Sequence, residues 1–328
     1  MRTHFARLTG RGYSLPVLLV VLAMALLPTF AQAQPAANKK VPSAISEGYL
    51  KIKDGLQLAY RYYPGPAEST TVPVILLHGF EGQGGDFDRL ARYLRSKEGG
   101  SHSVLVPDLR GHGKSTSIEP PNGDKSIKVQ ANRLRKDDFG KMLRLDMEAM
   151  KRFLLKEHAE ESLNIEGLTL VGADLGGLLA IHFAAQDWSW PSLAGVKQGQ
   201  DVRAVVLLSP LQTFKGINTK EPLMQDDVRS TVSFLMMYGR DSSKQAGTIR
   251  RINASLKRYR KTKFDSPEER RAEQDLFIFD LPTSLQSTKL LTDRQLPTAN
   301  RIREFIGARV VDKMKEEFPW KSRTNPLE

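Results

Sequence analysis

One stretch of the chain combines a reactive side chain with a backbone able to present it: Val171-Gly172-Ala173-Asp174-Leu175-Gly176-Gly177. The apolar run Leu168-Thr169-Leu170-Val171 enters it, and a small-residue helical run from Leu178 to Ala185 leaves it. Glycines stand where a strand–turn–helix corner has no room for a side chain. This G-x-(nucleophile)-x-G spacing lifts one side chain above the carboxyl edge of a parallel sheet. Here that side chain is Asp174. Carboxylates are ionised at neutral pH, so attack on an electrophilic carbon would need no base. The ester so formed would need one, to activate the water that releases it.

Bases are scarce. The six histidines are His4, His78, His102, His112, His158 and His182, so none follows the helix that leaves the elbow. His182 lies two turns into that helix, pointing away from the Asp174 tip. His102 and His158 fall in polar connections. There is no cysteine, hence no disulfide framework, no thiolate and no cysteine-based metal site. Asp86, Asp88 and Asp108 are not at ligand spacings, so no metal and no cofactor is expected. Between Arg250 and Lys263 lie seven cations and no acid: Arg250, Arg251, Lys257, Arg258, Arg260, Lys261 and Lys263. This run reads as the solvated face of a helix and loop, with contact to an anionic polymer or membrane surface as a minor reading. The formal net charge of +12 is spread along the chain without a nucleic-acid motif, so no nucleic-acid partner is expected.

The elements that must hold Asp174 alternate along the chain. The 328 residues suffice for one large core, and 40% hydrophobic with 26% charged residues is ordinary for a globular protein. Residues 1–33 have the plan of an export signal. Arg2, Arg7 and Arg11 precede the apolar Leu15 to Leu27, and Ala31-Gln32-Ala33 supplies a cleavage pattern. The apolar stretch is short for a membrane span, so cleavage is expected, leaving a periplasmic or secreted chain, with an uncleaved anchor as the alternative. A linker (34–47), a main domain (48–310) and a loosely packed tail (311–328) follow.

In the main domain, Gly48–Ile52 and Leu56–Tyr60 alternate around Asp54-Gly55 and predict a hairpin. Val72–Leu77, Val104–Val106, Leu168–Val171, Ala204–Leu208, Val232–Met237 and Leu276–Phe279 predict buried strands. Helical spacing marks Phe87 to Leu94, Phe139 to Leu154 and Ile302 to Val310. A polar loop runs to about Lys128. Strands alternating with helices after a hairpin mean an α/β fold with a mostly parallel central sheet, an antiparallel N-terminal hairpin and helices on both faces.

Three landmarks occur in order after successive strands: His78-Gly79-Phe80, then Asp108-Leu109-Arg110-Gly111-His112-Gly113-Lys114-Ser115, then the Asp174 elbow. In this the chain resembles the α/β-hydrolase fold superfamily over about Gly48 to Val310. Its aspartate elbow is similar to those of haloalkane dehalogenases and epoxide hydrolases. The resemblance implies Asp174 as nucleophile and the backbone N–H groups of Phe80 and Leu175 as oxyanion hole. It implies His78, Gly79, Gly172, Gly176 and Gly177 as structural turn residues, with His112 structural too. It also implies Asp241, in Tyr238-Gly239-Arg240-Asp241, as the acid; alternatively Asp241 is a turn residue that pairs with Arg240 or caps the next helix. Where this family carries its histidine base, the loop Leu281–Lys289 offers only Gln286, which can orient water but not deprotonate it.

The subgroups fit less well. Phe80-Glu81-Gly82-Gln83 has no halide-binding Trp or Asn, and the stretch 209–231, where a cap would insert, is short and lacks tyrosine. The expectation is therefore a minimally capped, exported pseudo-hydrolase that retains a small-molecule pocket at Asp174. The alternatives are an active ester or epoxide hydrolase with an unrecognised base, and an envelope-associated interaction protein using its basic surface.

Overall fold

The computed structural model describes residues 44–323 apart from 121, 192 and 194–196, all within one unit spanning Lys40–Glu328. The expected export signal and most of the expected linker lie outside the described residues. Among those described, no helix is long and apolar enough to cross a membrane.

Eight strands form the central sheet: β1 (Ser46–Lys51), β2 (Gln57–Tyr63), β3 (Pro73–Leu77), β4 (Ser103–Pro107), β5 (Leu168–Ala173), β6 (Val202–Leu208), β7 (Ser233–Gly239) and β8 (Leu276–Leu281). Their order is β1-β2-β4-β3-β5-β6-β7-β8. The first two strands pair antiparallel, with Leu50 opposite Leu58, and β2 pairs antiparallel with β4. All remaining neighbours are parallel. The central strands are apolar on both faces because each face carries its own core. Ile75, Leu77, Leu170, Leu207 and Met236 enter one apolar cluster, and Val74, Leu76, Val171, Leu208 and Met237 enter the other. The period-2 alternation of the strand divides consecutive side chains between the two.

Helices α1 (Asp88–Arg95), α2 (136–159), α3 (Leu175–Ser189), α4 (Asp226–Thr231), α5 (Ser243–Lys257), α6 (Pro267–Glu273) and α7 (Thr298–Ile306) surround the sheet. In α2 the predicted apolar spacing is interrupted by a π-helical stretch, Met142–Met147. That stretch buries Asp146 against Arg110, which is fully enclosed. Arg110 reaches Asp146 at 2.6 and 3.0 Å and Asp54, in the β1–β2 turn, at 2.7 and 3.2 Å. A buried guanidinium persists only when so paired, and the trio ties the hairpin turn to α2 through the loop after β4. The loop to Lys128 holds a two-stranded ribbon, Ser117–Ile118 with Ile127–Lys128, which the polar sequence did not indicate. Ile118 is placed by a bridge to Leu56.

Three expectations are corrected here. His102 and His158 are buried rather than in polar connections. The basic run is not wholly solvated: Arg260 is buried against Asp275 and the carbonyls of Val228 and Val232, and Lys261 pairs with Glu269 and Glu273. The tail is docked. Met314 is buried, Phe318 lies under Arg203, and Trp320 stacks on His158 at 5.0 Å. Arg323 enters a buried ionic network with Glu166 and Asp201, which also binds Lys151 and Lys197. The network was illegible because its partners are scattered over more than a hundred residues of sequence. Arg323→Ala leaves Asp201 two other cations, so the expected loss is about 1–3 kcal/mol, below the full penalty of a broken buried pair. Urea unfolding of the variant measures it.

Candidate functional site

Asp174 stands between β5 and α3 with φ 52° and ψ −114°, a conformation that non-glycine residues avoid. The corner is held by close approach of three backbones. A Cβ at Gly172 would overlap the backbone of Gly176, and one at Gly176 would overlap the carbonyl of Leu77. The N–H of Gly176 donates to His78 O at 3.1 Å, locking the start of α3 onto the loop after β3. Strain at Asp174 is therefore over-determined by its surroundings.

The carboxylate is engaged with the backbone on one side. Its Oδ1 accepts the N–H of Leu175 at 2.6 Å and the N–H of Phe80 at 3.2 Å. These are the two donors that the family resemblance implies as an oxyanion hole, and here Asp174 itself occupies them. A cleft of about 730 Å³ opens above it, lined by Gly79 to Gly82, Asp86, Asp174, Leu211, Phe214 and the loop Ser284 to Lys289.

The corner, the sheet order and the position of the cleft at the carboxyl edge of the strands belong together, and a comparison of sequences agrees. The model of the alpha/beta hydrolase fold matches residues 72–244. The chain belongs to this family. No curated protein matches it in sequence. Among solved structures it is similar to an esterase from Pyrococcus furiosus, with 16% identity, a TM-score of 0.54 and coverage of 81% of this chain and 92% of that one. It is also similar to DcsB, solved in complex with its substrate analogue, with 12% identity, a TM-score of 0.53 and coverage of 81% and 99%. At these identities the likeness concerns the fold.

In this α/β hydrolase the other candidates are placed as follows. His78 is fully buried, accepts the N–H of Leu109 on Nε2 at 2.9 Å and donates from Nδ1 to Gly79 O at 2.7 Å. Burial pushes its pKa down to about 4. His112 faces Arg110 O and Phe80 O. His182 contacts Asn218 O at 2.9 Å, and burial lowers its pKa. Each ring is therefore engaged with the backbone. Asp108 does likewise, accepting from Gly84 N and Lys114 N.

Gln286 lies in the loop after β8, with its amide bonded to two neighbouring residues. Its Oε1 accepts from Ser209 Oγ at 2.7 Å and Gly239 N at 3.2 Å, and its Nε2 donates to Gly239 O at 2.8 Å. The amide thereby clamps the last loop onto the end of β7. The residue of this loop that reaches the elbow is Ser287: an atom placed as Cβ on Gly79 would lie 3.2 Å from Ser287 Oγ and 3.0 Å from Asp174 Cβ. Sequence reasoning passed over Ser287, since nothing local distinguishes it from Ser284. Its φ of 58° resembles that of Asp174, so two strained non-glycine residues line one cleft, and a third, the buried Ser209 (46°), is bonded to Gln286 of the same lining.

Asp241 is exposed and does not line the cleft. The alternative roles weighed for it fall to neighbours. Arg240 pairs with Asp280 at 3.3 Å, and Ser242 caps α5 by accepting from Gln245 N. Among the described residues no group of three or more His, Cys, Asp or Glu is arranged to hold a metal.

Proposed function

We propose that the protein is an exported, degenerate α/β hydrolase that binds a small molecule in the Asp174 cleft without turning it over. One observation carries this reading: the loop after β8 holds no histidine to release an ester from Asp174, while Asp174 Oδ1 takes both N–H groups that would stabilise the oxyanion of a substrate attacked by any other nucleophile. Acyl transfer needs those donors free for the tetrahedral intermediate. Gln286, clamped to Gly239, leaves no base in the loop where one is needed. The cleft wall is apolar at Phe80, Leu211, Phe214 and Leu285, and carries Glu81, Asp86 and Asp174 against the single cation Lys289. A neutral or cationic ligand with an apolar body suits this lining. The complex of DcsB with a substrate analogue is in keeping with a small-molecule site in this fold.

The free Oδ2 favours a second reading, displacement at an electrophilic carbon. A bond formed there would leave Oδ1 as the ester carbonyl oxygen, already between Leu175 and Phe80 N–H. Intact-mass spectrometry after exposure to styrene oxide, 1-bromohexane and 4-nitrophenyl acetate separates the readings. The proposal expects no turnover, with thermal-shift hits among apolar amines that disappear in Phe214→Ala. Sustained turnover abolished by Asp174→Asn would overturn it in favour of a working hydrolase. A persistent adduct on Asp174 would establish the second reading. Export is tested by fusing residues 1–43 to a reporter and fractionating the cells.

A further inference from the structure

The outer edge strand β8 sends alternate side chains to opposite sides, and on one side they form the floor of a cleft that has no part in the Asp174 site. Phe277 and Phe279 line it, and Phe277 meets Phe305 of α7, their rings 5.7 Å apart and nearly perpendicular. Its volume is about 370 Å³, at the small end of the range for ligand sites. Four guanidinium groups surround this aromatic floor, from Arg270 and Arg271 on α6, Arg301 on α7 and Arg309 just beyond it, against one carboxylate, Glu304.

Arg309 is the decisive residue. It is 3% exposed and forms no ion pair among the described residues. Its Nη1 donates to Ala272 O and Gln274 O, both at 2.8 Å, and its Nη2 donates to Arg271 O, all at the carboxyl end of α6. Its Nε is buried without a hydrogen-bond partner. The guanidinium is hydrogen-bonded to carbonyls alone, with the carboxylates of Asp275, Asp312 and Glu317 acting on it only from beyond ion-pair distance, and an anion would complete this arrangement. Arg301 extends this field over the apolar floor, its guanidinium 4.9 Å from the centre of the Phe279 ring. Arg271 stands exposed at the rim.

We propose that this cleft binds an amphiphilic carboxylate, its apolar body on Phe277, Phe279 and Phe305 and its carboxylate among Arg270, Arg271 and Arg309. Two features select this chemistry. The lining carries an excess of three positive charges, which excludes a cationic ligand and disfavours a second copy of the same cleft. The aromatic floor gives a purely inorganic anion nothing to bury, whereas an acyl or aryl carboxylate covers it. The site is independent of the Asp174 reading, since the two clefts share no residue.

The test is titration calorimetry of the whole chain with decanoate and 2-naphthoate, with decanol and decyltrimethylammonium as controls. The two carboxylates distinguish a chain-shaped from a ring-shaped apolar body, and binding of either supports the proposal. The Arg270→Ala, Arg271→Ala double variant is expected to weaken binding by about tenfold or more, the scale of a lost charge-assisted contact. The Lys-for-Arg pair at the same positions should stay within about threefold, because rim charge is retained. Phe279→Ala should weaken binding by about fivefold or more through lost apolar contact. An unchanged melting temperature for the double variant excludes misfolding as the cause. The proposal is overturned if decanol or the ammonium ion binds as tightly as decanoate, or if neither carboxylate binds. It is equally overturned if binding survives in the double variant but is lost in Phe214→Ala, which would place the ligand in the Asp174 cleft.

Discussion

Gly176→Ala is expected to destabilise the protein by about 3 kcal/mol or more, lowering the melting temperature by at least roughly 6 °C, if the chain folds at all. In an ordinary helix the same change stabilises by about 1 kcal/mol, because alanine loses less backbone entropy than glycine. The sign reverses here because the added Cβ would overlap the carbonyl of Leu77, a backbone atom of β3 that no rotamer change can move aside. Relief would require α3 to lift from the sheet, breaking the bond from Gly176 N to His78 O and displacing Phe80 N–H from Asp174. Gly247, in the middle of α5, provides the contrast. A Cβ there meets nothing within 4 Å, so Gly247→Ala should stabilise by about 0.5–1 kcal/mol. Thermal unfolding of both variants beside the parent measures the pair. Equal effects would mean that the elbow is not sterically closed.

Acidification should unfold the protein between about pH 6.5 and pH 4, and His78 and His102 should carry much of the effect. Burial alone pushes the pKa of His102 from the ordinary 6.5 down to about 4. For His78 burial is also the main cause, with the same outcome. Both are at most 2% exposed, so water does little to screen the effect. Between the two pKa values the unfolded chain binds a proton at each site and the folded chain does not. Stability is therefore full above about pH 6.5 and is lost as the pH falls towards 4. The full shift corresponds to about 3 kcal/mol per histidine, of which about 2–3 kcal/mol is lost between pH 7 and 4.5. Urea unfolding of parent and His102→Gln at pH 7, 5.5 and 4.5 isolates one of them, since every other titrating group is common to both chains. The variant should lose about 2–3 kcal/mol less over the interval. Parallel pH profiles would mean that His102 is reached by water.

Both predictions concern scaffold rather than chemistry, and they mark how far local pattern could be read. Six of the eight main strands were visible because short apolar runs of three to six residues have few other uses, and the first two because they alternate around Asp54-Gly55. The elbow was visible because its three glycines and Asp174 fall within one short segment, although the atoms that exclude a side chain at Gly176 and Gly177 belong to Leu77 and Pro210, far away in the chain. The tail was misjudged as loose, because its anchors, Glu166 and Asp201, lie far away in sequence. The ribbon at Ser117–Ile118 was missed because its strands are only two residues long and it is placed by a bridge to Leu56, far away in the chain. Gln286 was placed in the right loop, but its partners Ser209 and Gly239 come from segments distant in the chain. Which of two adjacent side chains faces Asp174 is set by the backbone dihedrals after β8, where Ser287 adopts a φ of 58°.

By itself, then, the sequence determined the architecture, the position of Asp174 at the corner and the lack of any histidine after the elbow helix, since each depends on residue types at short range. Only the tertiary structure decided what Asp174 does with its carboxylate. Leu175 is its chain neighbour, but Phe80 is ninety-four residues away, and its N–H reaches Oδ1 because β3 and β5 are adjacent in the sheet. The oxyanion hole and its occupant are assembled by strand order, and strand order depends on pairings between segments that are distant in the chain.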